Sequence, residues 1–326
     1  MSAVAPRARA RRRARRAPNG AVPRRLALGG GAAAAGSLHR LRAEFERYYA
    51  RALPSAAIVP RRLHAAIRYS ALSPGKRVRA LLALTACESV GGDWRRALPA
   101  AVAVECVHAF SLVHDDLPAM DDDDWRRGRI TTHKKYGEAM GVLAGDALLA
   151  FAFEELGRLA EHGVPAPRAL QAVRVLARAS GSEQLVGGQV LDLEAEGRRA
   201  TGPRVRAIHR RKTGALIAAA MVLGGIAGGG TAERLEALER IGRELGLAFQ
   251  IHDDLLNRRS SLSRLGKRAG TDDQRGKATF PRAVGEERAR CEAQRLFRAA
   301  IGRIVGFGPR ATRLARLAVA VAERER

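Results

Sequence analysis

Aromatic residues make up only 4% of this 326-residue chain, and runs of Val, Ile, Thr or Tyr are few. That excludes a β-rich fold, whose strands draw on β-branched and aromatic side chains. Cysteine is equally sparse. Cys87, Cys106 and Cys291 are odd in number, far apart and without CxxC or Cys/His spacing, which excludes a disulfide framework and a zinc site and fits a reducing compartment. No stretch approaches the roughly 18 consecutive apolar residues of a membrane helix, so no membrane span is expected. What the chain does hold is abundant Ala, Leu and Arg within a 46% hydrophobic composition, and these are helix formers. The expected fold class is all-α.

Acid is missing from residues 1–36, which carry nine arginines, so 16 of the 25 net positive charges lie beyond them. Those charges are spread over many helix faces, with no zinc finger, helix-turn-helix pattern or aromatic-studded RNA surface, and no nucleic-acid partner is expected. The first 36 residues are low in complexity and read as a disordered basic tail. Their composition also resembles a transit peptide and, faintly, a twin-arginine signal. The reading adopted from sequence is a dispensable tail on a cytoplasmic protein.

From about residue 37 the pattern turns helical, with Ser37 as a candidate first cap. Residues 95–116 place Val102, Cys106, Ala109/Phe110 and Val113 on one apolar stripe, the mark of a buried helix. A second long helix over about 232–257 carries Leu235, Leu238, Ile241, Leu245, Ala248 and Leu255. Further helices are expected over 57–70, 77–91, 137–162, 166–197, 204–228, 281–301 and 309–325, separated by Gly/Pro punctuation. No linker divides residues 37–326, so they read as one helical domain.

Both long helices end in acid. "HDDLPAMDDDDWRRGR" contains Asp115, Asp116 and Asp121, and "QIHDDLLN" contains Asp253, Asp254 and Asn257. Positions 253 and 257 lie about 40° apart on a helix, whereas 115 and 121 would point about 240° apart. Pro118 resolves the second case by breaking the helix. Carboxylates without His or Cys select hard cations, and Mg2+ is usual where phosphate shares the site. Glycine-bounded cations answer the acids: Lys76 and Arg79 in "SPGKRVRA", Arg126 and Arg127 in "WRRGR", Lys212 and Thr213 in "HRRKTGAL", Lys267 in "LGKRAGTD" and Lys277 in "RGKATFP". Such groups suit diphosphates.

The ordered series "GKRVRA", "ECVHAFSLVHDDLPAMDDDDWRRGR", "LAGDALL", "LVGGQVLDLEAEG", "IHRRKTGAL", "GLAFQIHDDLLN" and "LGKRAGTDDQRGKATFP" resembles the trans-isoprenyl diphosphate synthases of the short-chain type. The resemblance runs from about residue 40 to the C-terminus. It implies a helical bundle around a deep cavity, commonly a homodimer, in which three Mg2+ ions hold an allylic diphosphate that ionises and is attacked by isopentenyl diphosphate. By matching position, Asp115, Asp116, Asp121 and Asp253 would be metal ligands, with Asp254 and Asn257 as ligands or immediate supports. Arg126, Lys212, Thr213, Gln250 and Lys267 would contact the allylic substrate, and Lys277 is a further substrate-binding candidate. Lys76, Arg79, His108 and Arg127 would hold isopentenyl diphosphate, with Phe249 beside its hydrocarbon. Gln189 would line the cavity. A lone His such as His108 on an apolar helix is otherwise a core residue.

Phe110, five residues before Asp115, and its neighbour Ser111 would set chain length, and an aromatic there points to a C15, farnesyl product. A C20, geranylgeranyl product and a non-catalytic partner subunit are the alternatives. The chain departs from the family pattern at Asn257, which replaces a third aspartate, at Pro74-Gly75 and Ala80, and at Ile130. Asn257 ligates through a neutral oxygen, so weaker Mg2+ binding is expected. A class I terpene cyclase is disfavoured by Asp253-Asp254 together with Lys76 and Arg79.

Overall fold

A computed structural model describes residues 31–199, 201–259 and 277–323. Most of the N-terminal tail, and Lys267, lie outside the described residues. The described residues are almost wholly helical, as expected. In chain order the helices are α1 (Gly31–Ala52), α2 (Arg61–Ala71), α3 (Val78–Ser89), α4 (Leu98–Asp115), α5 (Thr132–Tyr136), α6 (Glu138–Gly157), α7 (Ala166–Ser180), α8 (Leu185–Leu193) and α9 (Gly202–His209). They continue with α10 (Ala215–Ala227), α11 (Ala232–Arg259), α12 (Phe280–Val284), α13 (Glu286–Val305) and α14 (Thr312–Ala322). A small antiparallel hairpin, β1 (Trp125–Arg126) and β2 (Arg129–Ile130), pairs Trp125 with Ile130.

The centre of the bundle is α10. Every one of its residues is buried, as a helix apolar on all sides requires, and it packs against α3, α4, α7 and α11. The run Trp94–Asp115 has the length and hydropathy of a membrane span. Its apolar side chains are instead consumed by the bundle, with Val102, Ala103, Val104, Cys106 and Val107 fully buried. Phe45 and Tyr49 of α1, with Leu53 just beyond its end, add to the same core.

Three expected boundaries shift. The first helix begins at Gly31, so Ser37 lies inside α1 and caps nothing. The segment expected as one helix over 166–197 breaks between Ser180 and Leu185, where Gly181 offers no side chain to sustain it. In the segment expected over 204–228, Arg210–Gly214 forms a π-helical turn between α9 and α10, a local bulge of the kind often found at functional sites.

Candidate active site

The helix α4 stops at Asp115 and the chain folds back on itself. The Asp121 N–H donates to the Asp115 carbonyl at 2.8 Å and the Asp123 N–H donates to that of Asp116 at 3.2 Å. Carboxylates six residues apart thereby become neighbours, which a continuous helix forbids. Arg126 follows on the hairpin; it bonds Asp116 through Nε and Asp123 through Nη2, the latter at 3.2 Å. Lys277 Nζ donates to Asp121 Oδ1 at 2.9 Å from beyond α11.

Facing this cluster is a cavity of about 860 Å3, within the range of small-ligand sites. Its cationic end is formed by Lys76, Arg79, Arg126 and Arg127, with His108 beneath them. Arg77, Asp122 and Arg127 are the non-glycine residues with positive φ among the described residues, and all three flank the site. Such backbone strain clusters at functional positions. Arg127 also forms a two-residue turn with Gly128, which matches the twist of a tight hairpin. Its Nη2 donates to His108 Nε2 at 3.2 Å. Burial, reinforced by Arg79, Arg127, Arg126 and Arg77, holds that imidazole well below its ordinary value. His108 is therefore neutral and accepts, and it is a cavity residue as well as a helix-packing one.

Lys212 enters from the π-helical turn, and its Nζ donates to Asp192 Oδ2 at 2.7 Å. Burial pulls the ammonium down, yet Asp192, Asp115 and Asp121 outweigh it and the net shift is upward. Close packing fixes this turn. A Cβ on Gly188 of α8 would overlap the Lys212 backbone nitrogen. Thr213 Oγ1 donates to Gln250 Oε1 at 2.7 Å, and Gln250 Nε2 donates to Asp254 Oδ1 at 3.2 Å. Gln189, Phe249, Gln250 and Asp253 complete the wall with Phe110 and Ser111.

Not every expected residue meets the cavity. Asp116, Asp121, Lys277 and Asn257 are not among the residues that line it, the first three being held in the ion pairs given above. Asp254, expected as a ligand or an immediate support of the second cluster, has protein partners at both oxygens. It is buried; Oδ2 accepts the Phe280 N–H at 2.8 Å and lies 3.3 Å from His209 Nε2, while Oδ1 is taken by Gln250. Its neighbour Asp253 lines the cavity instead. Sequence reasoning missed Asp192, although it stands in the quoted "LVGGQVLDLEAEG". It also missed the buried Arg77, which lies 3.6 Å from Glu105 and 3.7 Å from Glu46.

The donor set suits a hard cation. Among the described residues no three His, Cys, Asp or Glu side chains already form a metal cluster, and Arg126 and Lys277 pair with Asp116 and Asp121. Asp115 is different. Burial, augmented by Asp121 and opposed by Lys212, Arg126 and Lys277, raises its carboxyl above the ordinary value. An oxygen-only set with a desolvated carboxylate at its centre fits Mg2+.

Carboxylates from α4 and α11 beside a cavity that is cationic at one end and apolar along the other suit a diphosphate that carries an apolar chain. The polyprenyl synthetase family profile matches residues 60–305. The chain belongs to that family and is a prenyltransferase. It is 50% identical over 252 residues to the chloroplastic geranylgeranyl pyrophosphate synthase 11 of Arabidopsis thaliana, covering 76% of this chain and 70% of that one. It is 48% identical over 252 residues to the chloroplastic heterodimeric geranylgeranyl pyrophosphate synthase large subunit 1 of the same plant, covering 76% and 68%. The geranyltransferase of Helicobacter pylori complexed with magnesium and isoprenyl diphosphate superposes with a TM-score of 0.79 at 27% identity, covering 90% of this chain and 97% of that one.

These relatives overturn the cytoplasmic expectation, since both plant enzymes are chloroplastic. An arginine-rich, acid-free leading segment has the composition of an organelle transit peptide, one of the alternatives read from the sequence.

Proposed function

We propose that this prenyltransferase extends an allylic diphosphate with isopentenyl diphosphate to the C20 geranylgeranyl diphosphate, in a plastid. The observation that carries the reading is the cavity itself, with Asp115 and Asp253 at its rim and a cationic end set apart from them. The 50% identity to a geranylgeranyl synthase supports C20 over the farnesyl product expected from Phe110.

Lys76, Arg79, Arg127 and neutral His108 bind isopentenyl diphosphate. Arg126, Lys212, Thr213, Gln250, Lys267 and Lys277 take the allylic diphosphate, and Phe249 packs on the isopentenyl hydrocarbon. Asp115, Asp116, Asp121, Asp253 and Asn257 would hold Mg2+, three ions by family resemblance, and bound Mg2+ supplies Lewis-acid stabilisation of the leaving diphosphate. As the C1–oxygen bond breaks, Lys212 and Arg126 stabilise the charge gathering on the diphosphate. The apolar wall keeps water from the allylic cation. The isopentenyl double bond forms the new carbon–carbon bond, and the proton lost passes to the released diphosphate.

Exposed Val142 and Leu143 on α6 support pairing of two copies into a homodimer, although one relative is a heterodimeric subunit. The test is chain length. Purified protein with Mg2+, farnesyl diphosphate and labelled isopentenyl diphosphate should yield a labelled C20 alcohol after dephosphorylation. Accumulation of C15 from geranyl diphosphate, with no C20, would restore the farnesyl reading.

A further inference from the structure

Four residues after Phe110, on the same face of α4, His114 also lines the cavity. The two rings meet edge to face with centroids 4.9 Å apart and planes at 74°. The imidazole is fixed on its far side. Its Nε2 donates to the Val142 carbonyl of α6 at 3.0 Å, so the hydrogen is on that nitrogen, and Asp146 Oδ1 lies 3.8 Å away.

The ring reaches α6 only because residue 145 has no side chain. A Cβ on Gly145 would overlap Nε2 and Cδ2 of His114 and would stand 3.0 Å from Cε1. Glycine inside a helix lowers its stability, and here its absence of bulk creates a notch that holds the imidazole. Phe110 also lines the cavity, yet it rests on that imidazole and is nearly buried.

We infer that Gly145 and His114 are positioning residues for product length: the notch at Gly145 seats His114, and His114 holds the Phe110 ring back from the growing chain. This rests on the elongation reading above. A methyl at 145 expels the imidazole from the notch, and the imidazole then drives the Phe110 ring into the cavity. The terminal isoprene unit loses its space.

The experiment is a cycle of Gly145→Ala, His114→Ala and the double variant, with the ratio of longest to next-shorter product and total turnover measured together. Gly145→Ala should lower the ratio by about tenfold, the discrimination available from a methylene-sized change in an apolar pocket. In the His114→Ala background the same methyl meets no imidazole and should leave the ratio unmoved. An unchanged ratio in Gly145→Ala overturns the inference. So does an equal shift in both backgrounds, which would make residue 145 act through helix packing alone. Crystal structures of wild type and Gly145→Ala give a second readout independent of turnover. A Phe110 ring moved toward the cavity supports the inference, and an unmoved ring overturns it even if wild type makes no product, which is the separate failure of the elongation reading.

Discussion

Glu155 on α6 is fully buried and neither carboxylate oxygen has a hydrogen-bond partner. Arg158 stands 3.2 Å from Oε1 as an ion pair. Burial pushes the carboxyl from 4.5 up to about 7, with Arg158 opposing and Glu154 and Glu161 adding to the rise. Tyr48 of α1 and Cys106 of α4 face the same region, and Glu155 pushes both upward, secondary to their own burial. Between about pH 4.5 and 7 the folded chain keeps a proton that the unfolded chain has lost. Stability therefore falls as pH rises through that window and levels off above it. The full gap corresponds to about 3 kcal/mol at 1.36 kcal/mol per pKa unit. Glu155→Gln keeps the shape without the charge, so it should match wild type near pH 4.5 and exceed it by about 2–3 kcal/mol at pH 8. For a domain of this size that is roughly 5–10 °C in Tm. Urea unfolding of both proteins at several pH values reads it directly. Parallel stability curves across the window would refute the reasoning, because they would mean that the carboxylate is solvated or fully paired when folded.

The site gives three further expectations. Asp192→Asn removes the 2.7 Å anchor of Lys212 and should raise KM for the allylic substrate by about tenfold, from the worth of one charge-assisted hydrogen bond, while KM for isopentenyl diphosphate stays as it was. Asp254→Ala orphans the Phe280 N–H and should cost about 1–3 kcal/mol in unfolding free energy; an unchanged Tm would remove it from its structural role. Asn257→Asp adds a charged oxygen at the second cluster and should lower the Mg2+ concentration needed for half-maximal turnover, with an unchanged Mg2+ profile counting against Asn257 as a ligand.

Much of this was legible in the sequence because helices announce themselves by apolar spacing, and because the acids sit where two such patterns end. Pro118 was enough to foresee that Asp115 and Asp121 could meet. Adjacent helix residues point about 100° apart, and Asp253 lines the cavity while Asp254 turns to Gln250 and the Phe280 N–H. The Asp192–Lys212 and Arg77–Glu105 pairs join residues from different helices, and no local spacing encodes them. Phe110 lines the cavity with its ring against His114, and His114 reaches Gly145 of α6, contacts that depend on how α4 meets α6 and that no local spacing encodes. A transit peptide and a basic tail share one composition, and physical chemistry alone does not separate them.

The central claim is that the two carboxylate clusters and the cationic pocket together join isopentenyl diphosphate to an allylic diphosphate. The direct measurement is transfer of label from isopentenyl diphosphate into an allylic product, with the allylic substrate present or withheld and with Mg2+ or chelator. The account predicts labelled product only when allylic substrate and Mg2+ are both present, and its loss in Asp115→Asn. No labelled product at saturating Mg2+ and both substrates would contradict it.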